Sequence, residues 1–260
     1  MNKSILLVSI LCASFLLFSP VSRAQFSFAT QDFYPFNYKD KHVVSGPAAD
    51  IIREVCHAME MSCSFQLMNW LRAQWFVEHG RKNGLFVIGW NEERSKIFYF
   101  SPPIIDTEYG IFVRKDNPLK FTKETDILDY HVGVYGPSNT EKSLLKIKEN
   151  INKLAVSVTN DDERQFQNLS DGKVDAVYSN RDVGYALINK LELDNIRYAG
   201  MHRQLKYYIG FAKAHNSASL IKRFNDTLIK LYQQGKLNGV YEKYDMQPPK
   251  DLVEAYKGLN

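Results

Sequence analysis

The chain has 260 residues, of which 45% are hydrophobic and 24% charged, and its formal charge at pH 7 is +4. That length is enough for one large domain or two lobes. The Lys and Arg residues are scattered along the chain, so the charge gives no support for nucleic-acid binding, which calls for a concentrated basic face.

Residues 1–24 read as a secretory signal peptide. Lys3 gives a positive start, Ile5 to Phe18 is apolar, Pro20 breaks the run, and Ser22-Arg23-Ala24 offers small residues where a signal peptidase cuts. The run is too short and wrongly flanked for a membrane span. Cys12 follows Leu11, where a lipid-anchoring motif wants a small residue. A soluble, exported chain starting near Gln25 is the expectation. It keeps only Cys56 and Cys63, an even pair that reads either as a disulfide or as two buried thiols. Two thiols without His or carboxylates in register make no metal site.

Phe26–Ala29 reads as a strand, and Ala48–Met61 carries the helical stripe Ile51, Val55, Met59. "CSFQL" is strand-like, and Asn69 can cap a helix reaching about His79, stopped by Gly80. "LFVIG" is a central strand covered on both faces. The stretch "WNEERSKIFYFSPPI" (90–104) then sets four charged residues against an aromatic run. "YGIFVRK" reads as a strand leaving this unit. In the second unit "HVGVY", "LAVSV", "VDAVY" and "IRYAG" are strands. They are separated by helices from Ser138-Asn139-Thr140 to about Lys148, from Asn160 to Gly172, and from Asp182 to about Lys190. "YYIGFAK" is a strand without an obvious partner there. Ser217 caps an amphipathic helix with Leu220, Ile221, Phe224, Leu228 and Leu231 on one face, and a last helix covers about Leu237–Tyr244. Alternation at this spacing predicts βαβ units and parallel sheets. Two connectors, near 113–117 and 206–210, imply a double hinge and a cleft. Function is then expected in the loops after strands: 30–38, 68–72, 89–96, 135–140 and 178–182.

The order of motifs resembles the periplasmic solute-binding proteins of ABC importers, in the branch that binds polar amino acids (family 3 extracellular solute-binding proteins). "YPFNYKDKHVVSGPAADII" is similar to the family's Tyr-Pro-Pro-Phe opening and Gly-Phe-Asp-x-Asp-Leu helix entry. Asp50 stands at the second Asp, and Pro47 and Ala48 replace the Phe and first Asp. "NEERSKIFYFSPPI" resembles its Thr-x-Glu-Arg and Phe-Ser-x-Pro-Tyr, "SDGKVDAVYSN" its Gly-x-x-Asp-Ala, and "LIKLYQQGKLNGVYEKY" its terminal helix. The spacing of Cys56 and Cys63 resembles the disulfide of the histidine- and basic-amino-acid-binding members. The resemblance implies an α/β, two-lobed periplasmic-binding-protein-like fold (type II) with a double hinge and central ligand cleft. Its lobes would be 25–114, 115–207 and a return at 208–260.

It also implies that Arg94 forks onto a ligand carboxylate, as a planar guanidinium can. Read from the residues alone, Arg94 could equally be a surface arginine paired with Glu92 or Glu93. Ser138, Asn139 and Thr140 open a helix whose amides and dipole suit an anion, or they simply cap it. Tyr34, Phe36, Trp70 and Trp90 could wall a cleft, with Arg72 as a second cation. Where the family carries a carboxylate for the ligand ammonium, this chain has Asn180; Asp182 or Asp32 would have to compensate, or the ligand is not an α-amino acid. No catalytic motif is present, and His42, His57, His79, His131, His202 and His215 are dispersed. The expected function is capture of a small polar, carboxylate-bearing solute by a periplasmic monomer that delivers it to a membrane ABC permease, with no cofactor, metal or catalysis. The alternatives are an exported enzyme like the cyclohexadienyl dehydratases, using Glu92 or Glu93, and a ligand-sensing partner of a membrane receptor.

Overall fold

The computed structural model describes residues 25–259, so the expected signal peptide lies outside the described residues. β1 (Gln25–Thr30) begins the first lobe, followed by a short hairpin of β2 (Tyr38–Asp40) and β3 (Val43–Ser45). These two strands, three residues each, are too short to show an alternation in the sequence. α1 (Pro47–Ala58) has proline in its first turn, where no amide is needed, and buries Ile51, Ile52, Val55 and Cys56. β4 (Ser62–Leu67) follows, then α2 (Trp70–Glu78), capped by Asn69, whose side chain accepts from the Leu71 N–H at 3.0 Å. β5 (Gly84–Gly89), α3 (Glu92–Ile97), β6 (Phe98–Phe100) and β7 (Ile105–Arg114) complete the outgoing chain. Cys56 and Cys63 form a disulfide, Cα–Cα 6.2 Å, that ties α1 to β4. Closing so short a loop restrains the unfolded chain by about 2–3 kcal/mol.

The second lobe holds β8 (His131–Tyr135), α4 (Asn139–Asn150), β9 (Ala155–Thr159), α5 (Asp162–Ser170), β10 (Ala176–Asn180) and α6 (Arg181–Lys190). β11 (Ile196–Ala212), α7 (Ala218–Gln233), α8 (Asn238–Lys243) and α9 (Leu252–Lys257) return to the first lobe. The parallel pairs are as expected: β1 with β4 and β5, β8 with β9 and β10. Among the described residues no helix is long and apolar enough to cross a membrane.

Where the sequence reads two strands, "IRYAG" and "YYIGFAK", the structure has one, the 17-residue β11. The intervening residues 201–206 fall in neither reading, since between the two cores they carry no apolar alternation. They nonetheless pair antiparallel with β7, Met201 opposite Gly110 and Lys206 opposite Asp106. β7 and β11 thus form a two-stranded ribbon through the middle of a nine-stranded sheet of order β4-β1-β5-β11-β7-β10-β8-β9, with β6 beside β11.

Core membership marks the two lobes. Ile105, Tyr207, Ile209 and Phe211 pack with α1 and α7 in the first core. Tyr109, Ile111 and Val113 pack with Leu144 and Ile147 of α4 in the second. The outgoing strand changes cores between Ile105 and Tyr109, and β7 runs on beside β10 as a full member of the sheet. The end of α8 is tied down by Asp50 of α1, whose Oδ2 accepts from Lys243 Nζ and Tyr244 OH, both at 2.7 Å.

Candidate functional site

The strand ends of both lobes converge on one pocket. From the first lobe come Gln31, Phe33, Trp70, Val87, Gly89, Arg94 and Tyr207. From the second come Tyr109, Tyr135, Pro137, Ser138, Asn139, Thr140, Asp162, Ser179, Asn180 and Val183.

Arg94 sits on α3, a short helix within the 89–96 segment that the sequence places in a loop. The Asn91 side chain caps this helix by accepting from the Arg94 N–H at 2.8 Å. The guanidinium folds back, donating to the Gly89 carbonyl at 2.8 Å and lying 5.2 Å from the centre of the Trp70 ring. It makes no ion pair with Glu92 or Glu93; Glu93 instead pairs with Lys142 at 3.0 Å. Burial lowers the Arg94 pKa from its ordinary value, offset in part by Tyr109 and Tyr207. A half-buried guanidinium that feels Glu78 and Glu93 but pairs with neither leaves donors for an anion.

Facing it is the start of α4. Ser138 is spent on capping: its Oγ accepts from the Glu141 N–H at 3.0 Å and donates to the Tyr135 carbonyl at 2.7 Å. The Glu141 carboxylate closes the capping box by accepting from the Ser138 N–H at 3.4 Å. The first-turn amides of Asn139 and Thr140 have no intrahelical acceptor, and the dipole adds positive potential there.

Asn180 is 3% exposed and caps α6, accepting from the N–H groups of Asp182 (2.9 Å) and Val183 (3.2 Å). Its Nδ2 donates to Thr107 Oγ1 at 2.9 Å and to the Tyr207 hydroxyl at 3.2 Å. Thr107 in turn donates to Asp182 Oδ2 at 2.6 Å. Asp182, offered by the sequence as a substitute for the missing carboxylate, is therefore held by Thr107 and Arg181 and faces a separate pocket on the hinge side.

The other expected site residues lie apart. Tyr34 is 53% exposed on the outer rim, beside Tyr38. Phe36 is wholly buried, boxed between Phe33 (5.3 Å) and Tyr207 (5.2 Å), and so serves the first core. Arg72 lies over the ring of Phe76 on its own helix. Trp90 lines a neighbouring pocket with Arg203 and Lys206. Asp162, at the start of α5, reaches the pocket although the sequence shows only a capping cluster, Asn160-Asp161-Asp162. One cap needs one acid, and Asp161 supplies it by accepting from the Arg164 N–H at 3.0 Å; the surplus acid is the signal that could have found Asp162.

The two lobes touch at the mouth of this pocket. Asn91 Nδ2 donates to Asn139 Oδ1 at 3.3 Å, Lys142 pairs with Glu93, and Val183 of α6 packs into the first core. Among the described residues no group of three or more His, Cys, Asp or Glu side chains is placed to hold a metal ion.

The family model described as bacterial extracellular solute-binding proteins, family 3, matches residues 27–247. The chain belongs to that family. The chain is 26% identical over 220 residues to the probable amino-acid-binding protein YxeM of Bacillus subtilis (strain 168), covering 83% of this chain and 81% of that one. It is 27% identical over 156 residues to the L-cystine-binding protein TcyJ of Escherichia coli (strain K12), covering 59% of this chain and 56% of that one. Of solved structures, one concerned with glutathione import via GshT and the cystine ABC importer TcyBC of Streptococcus mutans superposes with a TM-score of 0.78 at 24% identity, covering 89% of this chain and all of that one. A histidine kinase sensor domain similar to periplasmic binding proteins superposes with a TM-score of 0.77 at 20% identity, covering 87% and 99%. At these identities the structural likeness shows the fold of the family 3 proteins, two lobes about a cleft.

Proposed function

We propose that the protein is an exported, periplasmic binding protein that closes on a small polar, carboxylate-bearing solute and presents it to a membrane ABC permease. It acts as a monomer, without cofactor, catalysis or nucleic acid. The observation that carries this reading is Arg94. It is a half-buried guanidinium without a carboxylate partner, in a pocket shared with the free first-turn amides of α4. Two such anion-seeking features in an interlobe pocket fit a carboxylate better than they fit a packed core. Ser138, Asn139 and Thr140 serve through that helix start, Trp70 as the ring behind the guanidinium, and Asn180 as the post that fixes α6. Tyr34, Trp90 and Asp182 would act from the rim and hinge.

The lobe limits read from sequence, 25–114, 115–207 and 208–260, belong to the same reading; the core contacts favour an outgoing crossing within 106–108. Relatives in the family carry amino-acid and L-cystine names, so an amino acid is the first ligand class to try. Arg94→Ala should abolish solute-induced thermal stabilisation while the solute-free melt stays close to wild type. Unchanged stabilisation would sink the assignment. Mass spectrometry of whatever co-purifies, released by gentle denaturation, names the solute; recovery of a chemically altered one would argue for an enzyme.

A further inference from the structure

Two side chains around the interlobe pocket carry formal charge, Arg94 from the first lobe and Asp162 from the second. Neither forms an ion pair among the described residues; Glu78 and Glu93 act on Arg94 only from beyond salt-bridge range. Arg94 spends its hydrogen bond on the Gly89 carbonyl. Among the described residues the Asp162 carboxylate accepts no hydrogen bond and forms no ion pair, and Asp161 already caps α5. Leaving two opposite charges half-buried and unpaired in a closing cleft is costly. A solute carrying both a negative and a positive group would supply both missing partners at once.

We propose that Asp162 receives the cationic group of a zwitterionic solute whose anionic group lies on Arg94. This rests on reading the pocket as the solute site, and it names the class of solute and the residue that selects it. The surroundings of Asp162 leave the cation to the solute. Asp161 and Glu163 flank it on its own turn, Tyr135 faces it from β8, and Asp32 and Tyr34 lie on the loop after β1. Lys190 of α6, the cation in this set, is held by Glu163 at 2.7 Å.

Loss of contact with water, and then the charge of Asp161, raise the Asp162 pKa to about 7. A bound cation favours the ionised carboxylate, so binding below that pH must expel a proton. Affinity therefore rises as pH rises through about 7 and levels off above it. Arg94 stays charged across this range, and burial pushes Tyr135 and Tyr207 upward, keeping them neutral.

The test is calorimetric titration of the chain from Gln25. The probe is whichever standard amino acid most stabilises it in a thermal-shift screen, compared with that acid's N-acetyl derivative, which keeps the carboxylate and loses the cation. Binding should be roughly tenfold weaker at about pH 6 than at about pH 8, and the N-acetyl derivative should not compete. Asp162→Asn should bind at least about tenfold more weakly, with a flat pH profile, and Asp162→Glu should recover part of both. Solute-free melts matching wild type show that the variants fold. Wild-type affinity and pH slope in Asp162→Asn would overturn the proposal, as would equal binding of the N-acetyl derivative. If a simple carboxylate binds through Arg94 while no amino acid does, this inference fails and the pocket reading stands. If neither class stabilises the chain, or binding survives Arg94→Ala, the pocket reading fails with it.

Discussion

Asn180 uses all of its hydrogen-bonding capacity at once, and that explains why an amide stands where the family resemblance leads one to look for an acid. The Thr107 hydroxyl gives its proton to Asp182, so it can only accept from position 180. An aspartate there would point lone pairs at lone pairs and add a second buried charge beside Asp182. Asn180→Asp should therefore lose about 1–3 kcal/mol in urea unfolding at neutral pH; no loss would mean that Thr107 is free to turn. Arg94 was legible only through the family resemblance, and Trp70 and the 138–140 turn through their places in loops after strands; all of them line the interlobe pocket. Phe36 was misplaced because aromatic residues in a loop look alike whether they face a cleft or, as here, the Phe33–Tyr207 box. Asp162 was hidden among neighbours that also cap helices.

Elements with a strong stripe or a cap could be read directly: α1 and α7 from their apolar faces, α2 and α4 from Asn69 and Ser138. The middle of β11 could not, since a strand that lies between two cores has no apolar side to advertise. What the ribbon demands instead is close approach. A side chain at Gly110 of β7 would come within 2.4 Å of the Gly200 carbonyl oxygen and 2.1 Å of the Tyr198 hydroxyl on β11. The backbone contact cannot yield without parting the strands. Gly110→Ala is expected to cost about 1–3 kcal/mol, lowering Tm by several degrees in a chain of this size. An unchanged melt would show that β7 and β11 lie further apart than described.

For the molecule as a whole, if the lobes close on solute as proposed, the contacts at the cleft mouth would bear on that closure. Lys142 and Glu93 are both mostly exposed, 65% and 77%, so their pairing biases closure weakly and is screened by salt. Lys142→Ala should weaken solute binding by no more than a few-fold at low ionic strength and not at all at high salt. A large, salt-independent loss would place Lys142 on the solute itself.

The ribbon has a consequence for how such a chain can diversify. β11 breaks register with β7 between Tyr198 and Gly200 and again between Met201 and Arg203, and with β5 between Tyr208 and Ile209. Bulges concentrate twist and bending, and the ribbon carrying them runs from one lobe into the other. Substitutions along it can retune how readily the lobes come together while leaving every wall of the pocket intact. If the lobes close as proposed, affinity can be tuned from the ribbon as well as from the pocket, whereas what is held depends on the pocket, so a lineage could strengthen its grip without changing what it holds.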